Sequence, residues 1–245
     1  MRFRIIGPGR AGGAFATALT SVGWDLDASY GRDDDPGLSA IGVDLLLVCV
    51  PDRSISTVAS EILPGEAAVV HVAGSQTLDV LASHDRVGSV HPLMALPDAE
   101  RGSQLLLDRC HFAVEGDSIT KSIVDALGGI AFNVSGDDRT RYHATAAVAS
   151  NHLVALTAQV KRLSESVGVP AEAFWPLMMA SLANVVNSDP RSALTGPVAR
   201  ADWDTVRSHL DALDPTDSAL YLAMATEAAR LGGQQLPPDL AQEIV

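Results

Sequence analysis

The chain has 245 residues, enough for one large domain or two modest ones, and its 47% hydrophobic and 19% charged content is that of an ordinary globular protein. Thirty acidic residues against 17 basic give a formal net charge of −13, which argues against nucleic acid and anionic membranes as partners, and no basic cluster offsets it. No run reaches the roughly 18 apolar residues of a membrane span, and Met1 to Arg4 lead straight into a strand with no apolar leader, so the sequence predicts a cytoplasmic protein.

Residues 2–6 form a short β-branched run that breaks into Gly7-x-Gly9-x-x-Gly12 and continues in small residues to Ser21, with Gly23 as a stop. This reads as strand, tight turn and helix. In a dinucleotide site the first glycine makes the turn, the second leaves room for the pyrophosphate, and the third lets helix and strand pack closely. The amides at the helix start then face the phosphates. A glycine-rich turn that binds nothing has the same letters; the position between a strand and a helix favours a nucleotide.

The second strand, Leu26 to Tyr30, ends in Gly31-Arg32 and then Asp33-Asp34-Asp35. An Arg at this corner suits the 2′-phosphate of NADP, whereas an acid suits the ribose of NAD. Arg32 favours NADPH, and the aspartates keep NAD open. Val43–Val50 is a near-continuous apolar run, as in a strand buried on both faces, and Pro51-Asp52 starts a helix through Leu63. Val69–Val72 leads into Ala73-Gly74-Ser75 and a helix from Thr77 to Ser83. Val87–Val90 leads into His91, and strands at 111–114 and 131–134 bracket a helix near 118–127. Alternation of this kind predicts an α/β doubly wound (Rossmann) domain, with ligands at the carboxyl ends of the strands. Val50, Pro51, Asp52 and Gly74 then join Gly7, Gly9, Arg10, Ala11, Gly12 and Arg32 as expected cofactor contacts.

From Gly136 the β-branched runs give way to Ala, Leu and helical spacing, which divides the chain into residues 1–135 and an all-α domain, 136–245. One helix is expected from 137 to 167, about 45 Å long. A second, 171–187, is kinked or split by Pro176. Residues 188–202 read as a long loop, 203–213 and 215–231 as helices, and the tail from Gly232 as poorly ordered. So extended an apolar helix predicts a homodimer.

The chemistry-bearing residues are sparse. Seven histidines include no pair with the spacing of a helical metal site, so no metal is expected. Cys49 and Cys110 suit reduced buried thiols. His71 and His91 follow strands at the cofactor edge, where each either touches ligand or bonds a backbone carbonyl. Ser75 lacks the flanking glycines of a nucleophile elbow. Phe174, Trp175, Met178 and Met179 read as core or dimer interface.

The layout resembles the 6-phosphogluconate dehydrogenase-like superfamily, which includes ketopantoate reductase, pyrroline-5-carboxylate reductase and the β-hydroxyacid dehydrogenases. More narrowly it is similar to a branch that joins a Rossmann-like domain to a C-terminal domain of unknown function. Gly7 to Gly12, His91-Pro92-Leu93, residues 141–151 and residues 193–200 carry the likeness. It implies an NAD(P)-dependent oxidoreductase with a small-molecule substrate, dimerising through the helical domain, with its site between the domains. Several relatives place a catalytic Lys four residues before an Asn on the first helix of the second domain. Here Asn151 is present and position 147 is Ala. Asn151 is then expected to orient a substrate carbonyl, with His143 or, second, His91 as proton donor, and Thr195 and Arg200 holding a substrate carboxylate. His143 reads equally as capping or packing within its own domain. The missing Lys also admits a second class of function, a dinucleotide-binding sensor or partner protein without catalysis.

Overall fold

A computed structural model describes residues 1–242. Seven strands, β1 (Arg2–Ile6), β2 (Asp25–Tyr30), β3 (Leu45–Val48), β4 (Ala68–His71), β5 (Val87–Pro92), β6 (His111–Gly116) and β7 (Ile130–Asn133), form one sheet in the order β2-β1-β3-β4-β5-β6-β7. The first five strands in that order pair in parallel; β6 runs against β5, and β7 is parallel to β6. The reversal of the last two strands was not legible in the alternation of elements.

Side chains of successive residues point to opposite faces, which is why the central strands are apolar throughout. Phe3, Ile5, Leu45, Leu47 and Val70 pack on one face beneath α1 (Arg10–Ser21), α3 (Ala99–Leu107) and α4 (Ile119–Ala126). Ile6, Leu46, Val48 and Val69 pack on the other against Ile55 and Ala59 of α2 (Ile55–Glu61). The expected doubly wound layering is present. Helix α3 has no counterpart in the sequence reading. Its start is marked by Asp98, whose side chain accepts from the Arg101 amide at 2.8 Å. It lies tightly against α1: a Cβ on Gly13 would come 2.7 Å from the Ala99 Cβ, and one on Gly102 would come 2.9 Å from the Ala14 Cβ. The helix expected at 77–83 is only a 3₁₀ turn, Leu78–Leu81, with Thr77 Oγ1 donating to Asp79 at its start.

The chain divides into two compact units, Met1–Leu153 and Val154 onward. The strands stop at Asn133, and the first unit continues through α5 (Arg139–Ala147) and a π-helical turn, Val148–His152. Helix α6 (Leu153–Ser166) follows, so the long helix expected at 137–167 is present with a π turn inside it. Pro176 sits in the first turn of α7 (Trp175–Asn187), where its missing N–H costs nothing; it opens the helix and does not kink it. Residues 188–202 are more structured than a loop, because Asp189 caps the short α8 (Pro190–Ala193) and Val198–Arg200 form a 3₁₀ turn. α9 (Trp203–Ala212) and α10 (Pro215–Gly232) have Asp202 and Asp214 as N-caps. The tail is ordered as well: α11 (Pro238–Gln242) buries Leu240 with Val198, Val206, Leu222, Ala225 and Ala229 in the second unit's core. Residues 243–245, the end of the expected tail, lie outside the described residues. Within that unit Gln159 and Arg162 both bond Asp217, at 2.8 and 2.6 Å. Helix α7 stays largely uncovered, with Leu177, Met179 and Val186 64%, 65% and 76% exposed. Among the described residues no single helix is long and apolar enough to cross a membrane.

Candidate functional site

The carboxyl ends of β1, β3, β4 and β5 open onto a cleft of about 650 Å³ within the first unit. Gly9, Arg10 and Ala11 line it from the glycine turn, Cys49 to Asp52 from the loop after β3, and Val72 to Gly74 from the loop after β4. His91, the short stretch Ala95 to Pro97 and His143 complete it. A smaller depression of about 430 Å³ near Met1, Asp44 and Arg86 contains none of the candidate residues.

The three glycines behave differently. Gly7 has φ +87°, and a Cβ there would meet the Cys49 carbonyl oxygen at 2.8 Å. A Cβ on Gly12 would lie 2.2 Å from the Gly7 carbonyl oxygen, so this contact sets how closely α1 approaches the turn. Gly9 has ordinary extended angles, and a Cβ on it would meet nothing within 4 Å. Nothing within the protein requires a glycine there. Gly9 is also the N-cap of α1, with no capping side chain and no acid in the first turn, which leaves the first amides of α1 open at the positive end of the helix dipole. These residues fit a dinucleotide pyrophosphate.

At the corner after β2, two of the three aspartates are occupied in the loop: the Gly31 amide donates to Asp34 at 2.7 Å and the Gly37 amide to Asp35 at 2.8 Å. Arg32 is exposed and makes no hydrogen bond or ion pair among the described residues. Asp27, the acid inside β2, bonds Arg4 and Arg2, and its carboxyl is held below the usual range chiefly by Arg4. The corner thus offers a free guanidinium.

Beyond the glycine turn lies a cluster of rings. His91 Nδ1 and the Tyr142 hydroxyl are 2.7 Å apart, with the rings edge-to-face, and the His143 ring is 6.0 Å from that of His91. Gly74 makes the gathering possible, since a Cβ there would lie 2.6 Å from His143 Cδ2 and 2.9 Å from His91 Nε2. Burial pushes His91 down to about 4, helped by His143 and Arg139 and opposed by Asp52; burial pushes the Tyr142 phenol up to about 12. Asp52 accepts from Ser75 Oγ at 2.8 Å. Helix α5 is fastened beside them by Arg139, whose side chain is wholly buried. Its Nε donates to Glu115 at 3.0 Å and its Nη1 to the Ala73 carbonyl at 3.3 Å, and Glu115 also accepts from the Gly136 amide at 3.1 Å.

The candidates from sequence separate accordingly. Gly9, Arg10, Ala11, Val50, Pro51, Asp52, Gly74, His91 and His143 share the cleft. His71 does not: it is fully buried, its Nδ1 accepts the Ala73 amide at 3.2 Å, and burial and Arg139 hold it near 4. Asn151 is exposed within the π turn and is not among the residues lining the cleft. The wider turn also breaks the four-residue stripe that joins His143, Ala147 and Asn151 on a regular helix. Thr195 and Arg200 are exposed in the second unit. Among the described residues no group of three metal ligands occurs. Sequence reasoning missed Arg139 and Tyr142, whose partners are 24 and 51 residues away.

Residues 110–228 match a protein-family model described as a domain of unknown function, DUF2520. No curated protein matches the sequence. Among solved structures the chain is similar to protein TM1727 of Thermotoga maritima (24% identity, TM-score 0.72) and to BF3122 of Bacteroides fragilis (20%, 0.78); each match covers 94% of this chain and 98% of the other. It is also similar to pyrroline carboxylate reductase of Plasmodium falciparum with NADP bound, at 12% identity and TM-score 0.60, over 95% of this chain and 98% of that one. At these identities the likeness establishes the fold: a Rossmann-like first domain followed by a helical region.

Proposed function

We propose that this chain is an NADPH-dependent oxidoreductase that reduces a small carbonyl or imine compound. The observation that carries the reading is the open space over Gly9 at the uncapped start of α1, in the same cleft as the His91, Tyr142 and His143 rings. When bound, the dinucleotide supplies a hydride. The amides of Arg10 and Ala11 would hold its pyrophosphate, the loops at Val50 to Asp52 and Gly74 would bracket it, and Arg32 would pair with the 2′-phosphate, which favours NADP over NAD. The NADP in the Plasmodium relative supports that choice. Dimerisation, in the cytoplasm, is assigned to the helical domain from residue 136, through the uncovered apolar side of α7.

A second reading, a dinucleotide sensor without turnover, is favoured by Ala147 in the place of the relatives' Lys. The two separate in one experiment: an NADPH binding titration followed by NADPH oxidation with a panel of 2-oxo acids and cyclic imines. Binding with turnover supports the reductase, binding without turnover the sensor, and absence of binding refutes both.

A further inference from the structure

We propose that Tyr142 and His91 form the proton-delivery pair of the cleft: His91 presents its Nε2–H to the substrate's oxygen or nitrogen, and Tyr142 stands behind it as the proton source. This rests on the reductase reading above.

The geometry divides the imidazole between two neighbours. Nδ1 faces the Tyr142 hydroxyl at 2.7 Å, while Nε2, on the other side of the ring, lies beside Gly74 on the cleft wall. Tyr142 is itself held edge-on by Phe132, with centroids 5.8 Å apart. The groups facing His91 are His143, Arg139 and Asp52; the first two disfavour a positive imidazole and Asp52 favours one. With His91 near 4, about one molecule in a thousand carries an imidazolium at pH 7, so the charged form is too scarce to be the resting proton donor. A phenol near 12 keeps its proton and donates it to Nδ1, which leaves the single imidazole proton on Nε2.

The transfer balances without imidazolium. Hydride brings an electron pair to the substrate carbon, and the C=O π pair moves to oxygen. That oxygen takes the Nε2 proton as Nδ1 takes the Tyr142 proton, and the negative charge ends on the Tyr142 oxygen. Phenolate is much less basic than alkoxide, Arg139 favours it, and water restores the phenol. His143, which is exposed and makes no hydrogen bond among the described residues, has no comparable partner to fix its tautomer.

The test is nitrogen-15 NMR of the full-length, histidine-labelled protein without ligand at pH 7. The expected result is His91 with Nδ1 bare and Nε2 protonated, and a mixture of tautomers in Tyr142→Phe. A proton on Nδ1 in the native protein overturns the proposal, and this measurement stands even if Tyr142→Phe fails to fold. With any substrate found in the panel, Tyr142→Phe should lower turnover by about 100-fold, the lower end of what a positioned acid contributes, with NADPH affinity unchanged. Full turnover in that variant overturns the relay. Failure of NADPH to bind the native protein refutes the reductase reading and is seen separately, in the titration.

Discussion

Replacing Gly9 by Asp should separate folding from cofactor binding. The native residue has φ −75° and ψ −155°, angles open to any L-residue, and a Cβ there meets nothing within 4 Å. Gly9 is the N-cap of α1, where Asp is preferred over Gly by a few tenths of a kcal/mol, so thermal stability should hold or rise slightly. The new carboxylate occupies the space assigned to the pyrophosphate. Two unit charges of like sign 4 Å apart repel by about 4 kcal/mol at an effective dielectric constant of about 20. At about 1.4 kcal/mol per decade this weakens binding by roughly 1,000-fold. The assay is NADPH fluorescence titration beside a thermal melt. A folded Gly9→Asp protein whose affinity falls by less than about 3-fold would show that the dinucleotide does not lie over this turn, because repulsion of this size cannot be hidden. Gly12→Ala is the contrasting control: its Cβ would sit 2.2 Å from a backbone oxygen, so that variant should lose stability first.

Arg32→Ala should weaken NADPH by about 10-fold or more while leaving NADH unaffected, since its exposed guanidinium has no partner in the protein; equal loss for both cofactors would count against it. Acid should destabilise the fold well above the carboxylate range. His71 is held near 4 against 6.5 when unfolded, so the unfolded chain binds the extra proton between those values. The stability from its neutral burial is whole above about pH 6.5 and is lost as pH falls toward 4, by about 2 kcal/mol at pH 5, with His91 adding in the same sense. Urea melts at pH 7.5 and 5 measure this, and equal midpoints would refute it. Sedimentation at micromolar concentration should find a homodimer, and Val186→Glu on the uncovered side of α7 should give monomers; a native monomer would refute the assignment of that face.

The glycine turn, the central apolar strands and the change to helix near 136 could be read directly, because each rests on local chemistry: a positive φ at Gly7, a run buried on both faces at Leu45–Val48, the end of β-branching after Val134. Helix α3 could not, since its defining pairs, Gly13 with Ala99 and Gly102 with Ala14, exist only once two segments far apart in sequence meet. Asp98 was its one local signal. In the site, His91 and Gly74 were legible from their places after strands. Tyr142 and Arg139 were not, since a helical tyrosine and arginine look like surface until their partners on β5, β6 and the loop after β4 are known. The π turn was hidden for a different reason: nothing in Val148–His152 distinguishes an i→i+5 turn from an ordinary one.

The meshing of α1 with α3 bears on how the protein can vary. Each helix meets the other with a glycine opposite an alanine, one pair in either direction, so the gap between their axes leaves no room for a single added methyl group. The open end of α1 is therefore braced from behind by a helix that lines none of the cleft. Sequence drift along Ala99–Leu107 has to preserve that spacing or tilt the start of α1. A change such as Gly102→Val would reach the proposed cofactor site as a lever reaches its load, through rigid displacement of a helix and without touching the cleft.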